Sequence, residues 1–325
     1  MIKNSYRSVL TIATGKPIYI QMAVNLARSF KWWHKDSSIK FAIATDQKEL
    51  IPPDLPDIQI IELQPGQYGQ GFSPKLHLDK LAPADRTLFV DADCLCVGSL
   101  EFVFERFAGH AVSVVGGTIS QGEWFGDVKA VCASFGLISL PKFNGGVYYL
   151  EKGEESCKVY ATARELEPRY DEIGLVRLRN RPNDELLMAI AMASHCQTPI
   201  PDDGSIMGDP QACPGRLLVD VLRGESKLSN PPVPHSMHQA WYPFTEISPV
   251  LVHFLGHHTT IYPYKREELR LALTSGQNWP IWLADAFSTL SISFPLLTKR
   301  VFKDILRPFY HKLFGNRAVS VSDRL

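Results

Sequence analysis

One short run constrains this chain more than any other: Thr87-Leu88-Phe89-Val90 passes without a break into Asp91-Ala92-Asp93-Cys94. Leu88, Phe89 and Val90 are bulky, contiguous and few, the pattern of a strand buried on both faces. Residues two apart in extended backbone point the same way, so Asp91 and Asp93 project together from the carboxyl end of that strand. Two hard oxygen donors this close repel each other, and placing them at the edge of a core is costly unless a cation or a base neutralises them. The pair outlines a divalent-cation site. The alternative is a turn carrying two solvated acids.

At 325 residues, 45% of them hydrophobic, the chain suits one large domain or one domain with an appendage. Lys and Arg total 34, as do Asp and Glu, so no net field draws nucleic acid and none is expected as a partner. The six cysteines (Cys94, Cys96, Cys132, Cys157, Cys196, Cys213) share no repeated spacing, and Lys3 and Arg7 precede only a strand-length apolar run. The expectation is a reducing cytoplasm without a secretory leader. No uninterrupted run of about 18 apolar residues occurs, so no segment is expected to span a bilayer.

Residues 8 to 14 have strand composition, Gly15-Lys16-Pro17 breaks the strand, and residues 18 to 33 follow a helical pattern. A second strand over 39 to 45 ends in Asp46, and a third lies within 57 to 63. This alternation implies an α/β fold with a largely parallel sheet and ligands at the carboxyl ends of its strands. No GxGxxG follows the first strand, which argues against the usual dinucleotide fold. Thr11, Thr14 and Asp46, with Ala13 and Tyr19 beside them, could still hold a nucleoside, or else serve turns and caps.

Residues 64 to 71 are rich in Gly and Gln and read as a loop near the site; Ser73-Pro74-Lys75 then starts a helix through residue 81. Lys75 faces a phosphate or a sugar there, or only solvent. After the anchor come a helix over 100 to 107, a strand over 111 to 115 and an irregular, mobile flap over 116 to 135. Phe143-Asn144-Gly145-Gly146-Val147 sets an amide and two glycines before an apolar strand, where backbone can approach a ligand closely. A helix over 155 to 167 and a basic run over 177 to 181 follow. Asn183 then caps a helix, leaving Asp184 and Glu185 in the first turn, where the helix dipole alone would also account for them. Residues 197 to 250 are Pro-rich around a strand at 217 to 222, and His235 and His238 lack the cysteine pair a zinc site would want. Val250-Leu251-Val252-His253-Phe254-Leu255-Gly256 repeats the anchor's logic: a buried strand ending in a metal-capable group, then glycine. A lone core histidine is its alternative.

In this order, Asp91-Ala92-Asp93, Phe143-Asn144-Gly145-Gly146-Val147 and His253-Phe254-Leu255-Gly256 resemble the nucleotide-sugar glycosyltransferases of the A-type fold. They are most similar to family 8, the glycogenin and bacterial galactosyltransferase group. The resemblance covers roughly residues 6 to 265. It implies a Rossmann-like, mostly parallel mixed sheet flanked by helices as catalytic domain (1–265), with a helical extension (266–325). It implies Mn2+ or Mg2+ on Asp91, Asp93 and His253, and a UDP-sugar donor whose sugar passes, with retention, to a glycan, lipid-linked or small-molecule hydroxyl. Donor contacts would come from Asn144, Gly145, Gly146, Asp184, Glu185, Lys75, Ala92 and Gly256, with Asn144, Asp184 and Glu185 nearest the chemistry. Two departures stand out. Where the family continues with a lysine contacting phosphate, this chain has Thr259-Thr260-Ile261, so Lys265 or Arg266 must substitute. The helix opens Asn183-Asp184-Glu185 rather than aspartate-glutamine-aspartate.

From residue 281 the chain becomes aromatic and aliphatic, interrupted by Pro295 and Pro308. Val301, Phe302, Ile305, Leu306, Phe309, Tyr310, Leu313 and Phe314 recur at helical spacing among Lys299, Arg300, Lys303, Arg307, His311 and Lys312, which suits an interfacial helix on the inner, anionic membrane face. Pro308 would kink it; the alternative is a helix docked on the catalytic domain. Three rivals to a transferase fit the residues less well. A haloacid-dehalogenase-type phosphatase would want Thr or Val where Leu95 stands, a sugar nucleotidyltransferase would want a Gly- and Lys-rich loop after its first strand, and a binding module would lack turnover.

Overall fold

A computed structural model of the protein describes residues 6–55 and 57–315. The chain opens with strand β1 (Arg7–Ala13), helix α1 (Pro17–Trp33), β2 (Lys40–Thr45) and β3 (Gln59–Glu62). Pro17 lies in the first turn of α1, where its missing N–H costs nothing, and Ile20, Ala23, Val24, Ala27 and Phe30 recur at three- and four-residue spacing to bury one face. A single turn, Ser73–His77, leads into α2 (Leu78–Leu81), β4 (Arg86–Val90), β5 (Cys94–Cys96) and α3 (Glu101–Phe107). Then follow β6 (Val112–Ser113), β7 (Val115–Ile119), α4 (Val128–Phe135), β8 (Leu140–Phe143), β9 (Val147–Glu151), α5 (Glu154–Leu166) and α6 (Asp184–Ser194). The remainder is β10 (Ile200–Pro201), β11 (Met207–Gly208), β12 (Leu217–Asp220), β13 (Glu225–Ser229), β14 (Glu246–Ile247), β15 (Leu251–His253), α7 (Tyr264–Leu271), α8 (Ile281–Ser288) and α9 (Phe294–Phe314).

The central sheet has the order β3-β2-β1-β4-β9-β6. β1 to β4 are parallel neighbours, and β9 runs antiparallel to both β4 and β6. The two-residue period of each strand sorts the core. Leu10, Ala42, Phe89, Tyr148 and Leu150 face the layer of α5 and α6, whereas Val9, Phe41, Ile43, Leu88, Val90 and Tyr149 face that of α1 and α3. Both faces are covered, which is why these strands read as unbroken apolar runs. The expected mixed, mostly parallel α/β sheet is what the chain forms.

The stretch expected to be a flap is structured. β7 pairs with β8 and β10, and α4 is capped at Asp127, whose side chain accepts from Lys129 N and Ala130 N. The glycines that suggested a loop let two strands touch: a Cβ on Gly116 would lie 2.1 Å from Lys142 O. The strand expected over 111–115 splits between two sheets, and that over 217–222 ends at Asp220 in a turn capped by its carboxylate. His235 and His238 spend ring nitrogens on backbone, His235 Nδ1 accepting from Met237 N and His238 Nδ1 lying 2.8 Å from Pro231 O.

In the tail, α8 runs through a π-helical turn (Thr289–Ser293) into α9, which continues through Pro308 to Phe314. Leu290, Phe294, Leu297, Val301, Phe302, Ile305, Leu306, Phe309 and Leu313 are exposed along it. The 23 residues Ile281–Lys303 are long and apolar enough, by length and composition alone, to cross a membrane. This differs from the expectation that no segment spans a bilayer: the apolar run is broken, but up to Thr298 only by hydroxyls, Pro295 and Asp285. One interruption, Asp285, is tied to the body: Arg270 Nη2 stands 2.7 Å from its Oδ1, an ion pair rather than an aligned hydrogen bond, and Arg223 holds the other oxygen. Arg270 and Glu267 are fully buried on α7 in the same cluster with Asp220.

Candidate active site

Strand register brings the site together. β4 and β9 pair as far as Val90 and Val147, and the ladder extends one step, Asp91 N donating to Gly146 O at 2.9 Å. β15 pairs antiparallel with β5, His253 opposite Cys94, and Phe254 N donates to Asp93 O at 2.9 Å. Residues some 55 to 160 positions apart thus meet at the carboxyl edge of β4. His253 Nε2 stands 3.0 Å from Asp93 Oδ1 and 3.7 Å from Asp91 Oδ2. The imidazole lies against the backbone of Gly146, where a Cβ would come within 2.5 Å of Nδ1 and 2.9 Å of Met207 Sδ. Only glycine fits there.

A second group adjoins the first. Lys75 Nζ donates to Asp91 Oδ2 and to Gly145 O, both at 2.8 Å, and lies 3.7 Å from Asp184 Oδ2. Asp184 is buried and accepts from Tyr148 Oη at 2.6 Å. Glu185 accepts from Gly145 N at 2.7 Å, while Asn183 caps α6 by accepting from Glu185 N at 3.0 Å. Gly145 threads between these acids; a Cβ on it would meet Asp184 Oδ2 and Glu185 Cγ at 3.0 Å. Asn144 Oδ1 accepts from Gly146 N at 2.9 Å and lies 3.1 Å from His253 Nδ1.

The charges explain one another. Burial works against the Lys75 ammonium, but Asp184, Asp91 and Glu185 outweigh it and hold the pKa above its ordinary value. Burial likewise disfavours charge on His253; Asp93, by charge and hydrogen bond, then Asp91 and Asp209, raise it to about 9. Burial pushes Asp91 up against the opposing pull of Lys75 and His253. Glu185 is raised to about 7, first by burial and then by Asp184. Carboxylates outnumber cations here, and their donors are hard oxygens plus one imidazole, a set suited to Mn2+ or Mg2+. Asp93, Cys94 and His253 also place ligand atoms within 4.8 Å of one another. Burial and the two aspartates push the Cys94 thiol pKa up.

The other candidates lie at the carboxyl ends of β1, β2, β4 and β15 or in the loops and the helix that follow them. Thr11 and Ala13 are buried at the end of β1, Thr11 Oγ1 without a partner among the described residues. Both oxygens of Asp46 accept from Gly15 N, at 3.0 and 3.2 Å, stitching the loop after β1, with Thr14, to β2. Tyr19 and Ala92 are partly buried against the core. Gly256, at φ +56°, opens the turn after β15. Lys265 and Arg266 are spent elsewhere: Lys265 pairs with Glu268, and Arg266 lies 3.3 Å from Glu267 and 3.6 Å from Asp220. The cation brought beside Gly256 is Arg179, exposed, whose Nη2 would lie 4.0 Å from a Cβ there and which has no ion pair among the described residues. Arg179 lay unremarked within the basic run, and Asp209, before Pro210, reads in the sequence only as a turn.

No family model matches this sequence, and no curated protein does. Among solved structures, the chain is similar to the galactosyltransferase LgtC in complex with donor and acceptor sugar analogs: TM-score 0.52, 13% identity, 83% of this chain and 95% of that one. An active-site mutant of LgtC matches with TM-score 0.51 and 13% identity over 82% and 95%. The likeness shows the fold: this chain has the architecture of an A-type glycosyltransferase.

Proposed function

We propose that the protein is a metal-dependent glycosyltransferase that moves a sugar from a nucleoside-diphosphate sugar, a UDP-sugar in the first instance, to a hydroxyl acceptor with retention of configuration. One observation carries the reading: Asp91, Asp93 and His253 converge beside the Lys75, Asp184 and Glu185 cluster at the carboxyl edge of a parallel sheet, where such sheets bind ligands. LgtC, whose fold it shares, was solved with donor and acceptor sugar analogs.

Asp91, Asp93 and His253 would hold Mn2+ or Mg2+, which when bound supplies Lewis-acid stabilisation of the departing diphosphate. Lys75 opposes the rise in the Asp91 pKa and aims its Oδ2. Arg179, next to Gly256, supplies the diphosphate contact for which Lys265 and Arg266 are not free. Asp184 is closed in by Tyr148 and Lys75, so Glu185, partly buried and near neutral in pKa, is the carboxylate left to face the anomeric centre as positive charge develops there. Thr11, Thr14 and Asp46 would flank the nucleoside at the ends of β1 and β2. We place the enzyme in the cytoplasm, with α9 lying on the inner membrane face: Lys299, Lys303, Arg307 and His311 recur every fourth residue opposite an exposed apolar side.

The test is a panel of nucleotide sugars with Mn2+, read as free nucleoside diphosphate, on the protein and on Asp93→Ala. Slow hydrolysis of one donor, lost in the variant, is expected. Silence across the panel, with no metal-dependent nucleotide binding by calorimetry, would leave a binding module or nothing.

A further inference from the structure

We infer that Asp209 is the positioning residue of the metal histidine, acting through Asn144 to fix which nitrogen of His253 faces the cation; the inference rests on the metal reading above. The hydrogen bonds assign themselves. Gly146 N–H can only donate, so the Asn144 atom 2.9 Å from it is the carbonyl oxygen Oδ1. The same oxygen lies 3.1 Å from His253 Nδ1, which must therefore carry a hydrogen and donate it. Nε2 is then the nitrogen left toward Asp93 and Asp91. The other end of the amide, Nδ2, donates to Asp209 Oδ2 at 3.3 Å. Asp209 is itself fixed, since its Oδ1 accepts from Gln211 N at 2.7 Å and Ala212 N at 2.9 Å.

Asp209 is buried, and each link has one polarity only. A carboxylate cannot donate, so Asp209 dictates that Asn144 presents its NH2 outward to it and its oxygen to His253. Partners of this kind hold the tautomer and ring orientation of a metal-binding histidine. Asn144 thereby links Asp209 to the imidazole, while its amide nitrogen keeps a second N–H for a donor contact.

Asp209→Asn tests this with little change of shape. Its carbonyl still accepts from Gln211 and Ala212, but an NH2 now opposes the NH2 of Asn144. Mn2+ affinity, measured by calorimetry and by the free-ion signal in electron paramagnetic resonance, should fall roughly ten- to hundredfold. Exchanging the pair, Asn144→Asp with Asp209→Asn, restores donor to acceptor at every link and should recover affinity to within a few fold. Circular dichroism and thermal melting establish that each variant folds. Wild-type affinity in Asp209→Asn, or no recovery in the exchanged pair, would overturn the inference; absence of Mn2+ binding by the unaltered protein would instead sink the metal reading beneath it.

Discussion

Replacing Lys75 by methionine removes the one ammonium that sits among the acids of the site while keeping an unbranched side chain of similar length. In the structure Nζ is 2.8 Å from Asp91 and 3.7 Å from Asp184, with only 13% of the lysine side chain exposed. At an effective dielectric of about 20 these separations correspond to roughly 6 and 4.5 kcal/mol of attraction. Desolvation of the ammonium cancels much of that, and removing one partner of a buried pair typically costs about 3–5 kcal/mol. For a chain of this size that loss lowers Tm by about 4–7 °C. The deficit should be larger at pH 8 than at pH 5, because the acids left behind can protonate in the folded state at low pH. It should also shrink when Mn2+ is added, since the cation then opposes the same carboxylates. Urea denaturation and thermal melting with and without Mn2+ measure all three. A variant within about 1 kcal/mol of the parent in chelator, or one whose deficit ignores Mn2+, would refute the reasoning.

His253 is raised from 6.5 to about 9, so the folded state binds its proton more tightly than the unfolded chain; the resulting stability is complete below about pH 6.5 and is lost as pH rises through 9, about 3 kcal/mol in all. Urea midpoints in chelator from pH 6 to 10 should show this, and His253→Gln should flatten the curve. Gly146→Ala drives a methyl into the imidazole and Met207 Sδ; a loss of about 1–3 kcal/mol, with Mn2+ affinity weakened at least tenfold, is expected from melting and calorimetry, and unchanged affinity would contradict the close packing. Arg179→Ala should weaken nucleoside diphosphate binding roughly ten- to hundredfold while leaving Mn2+ affinity alone, as calorimetry can separate. Val301→Asp with Ile305→Asp should abolish cosedimentation with anionic vesicles if α9 lies on the membrane; equal binding to neutral and anionic vesicles would count against it.

The sequence by itself determined most of the central strands, because apolar runs of three or four residues such as Phe41–Ala44 and Leu88–Val90 carry their own burial, and an acid or histidine that closes a run marks its carboxyl end. Asn183 likewise announced a helix start through its capping chemistry, whereas Pro17, read only as a strand breaker, is the first residue of α1. The sequence misread β7 and α4: Gly116 and Gly117 look like a loop until β8 is known to press against them, and Asp127 was passed over as a cap. The candidate site was legible as a set of residues but not as an arrangement. Only the antiparallel register of β15 on β5 sets His253 against Asp93, and only the register of β9 on β4 lays Gly146 under the imidazole. Tertiary structure alone set Asn144 between His253 and Asp209, paired Lys265 and Arg266 with acids of their own and brought Arg179 beside Gly256. Burial and periodicity are properties of a few neighbouring residues, whereas hydrogen-bond polarity and charge pairing depend on which distant strand arrives, and in what register.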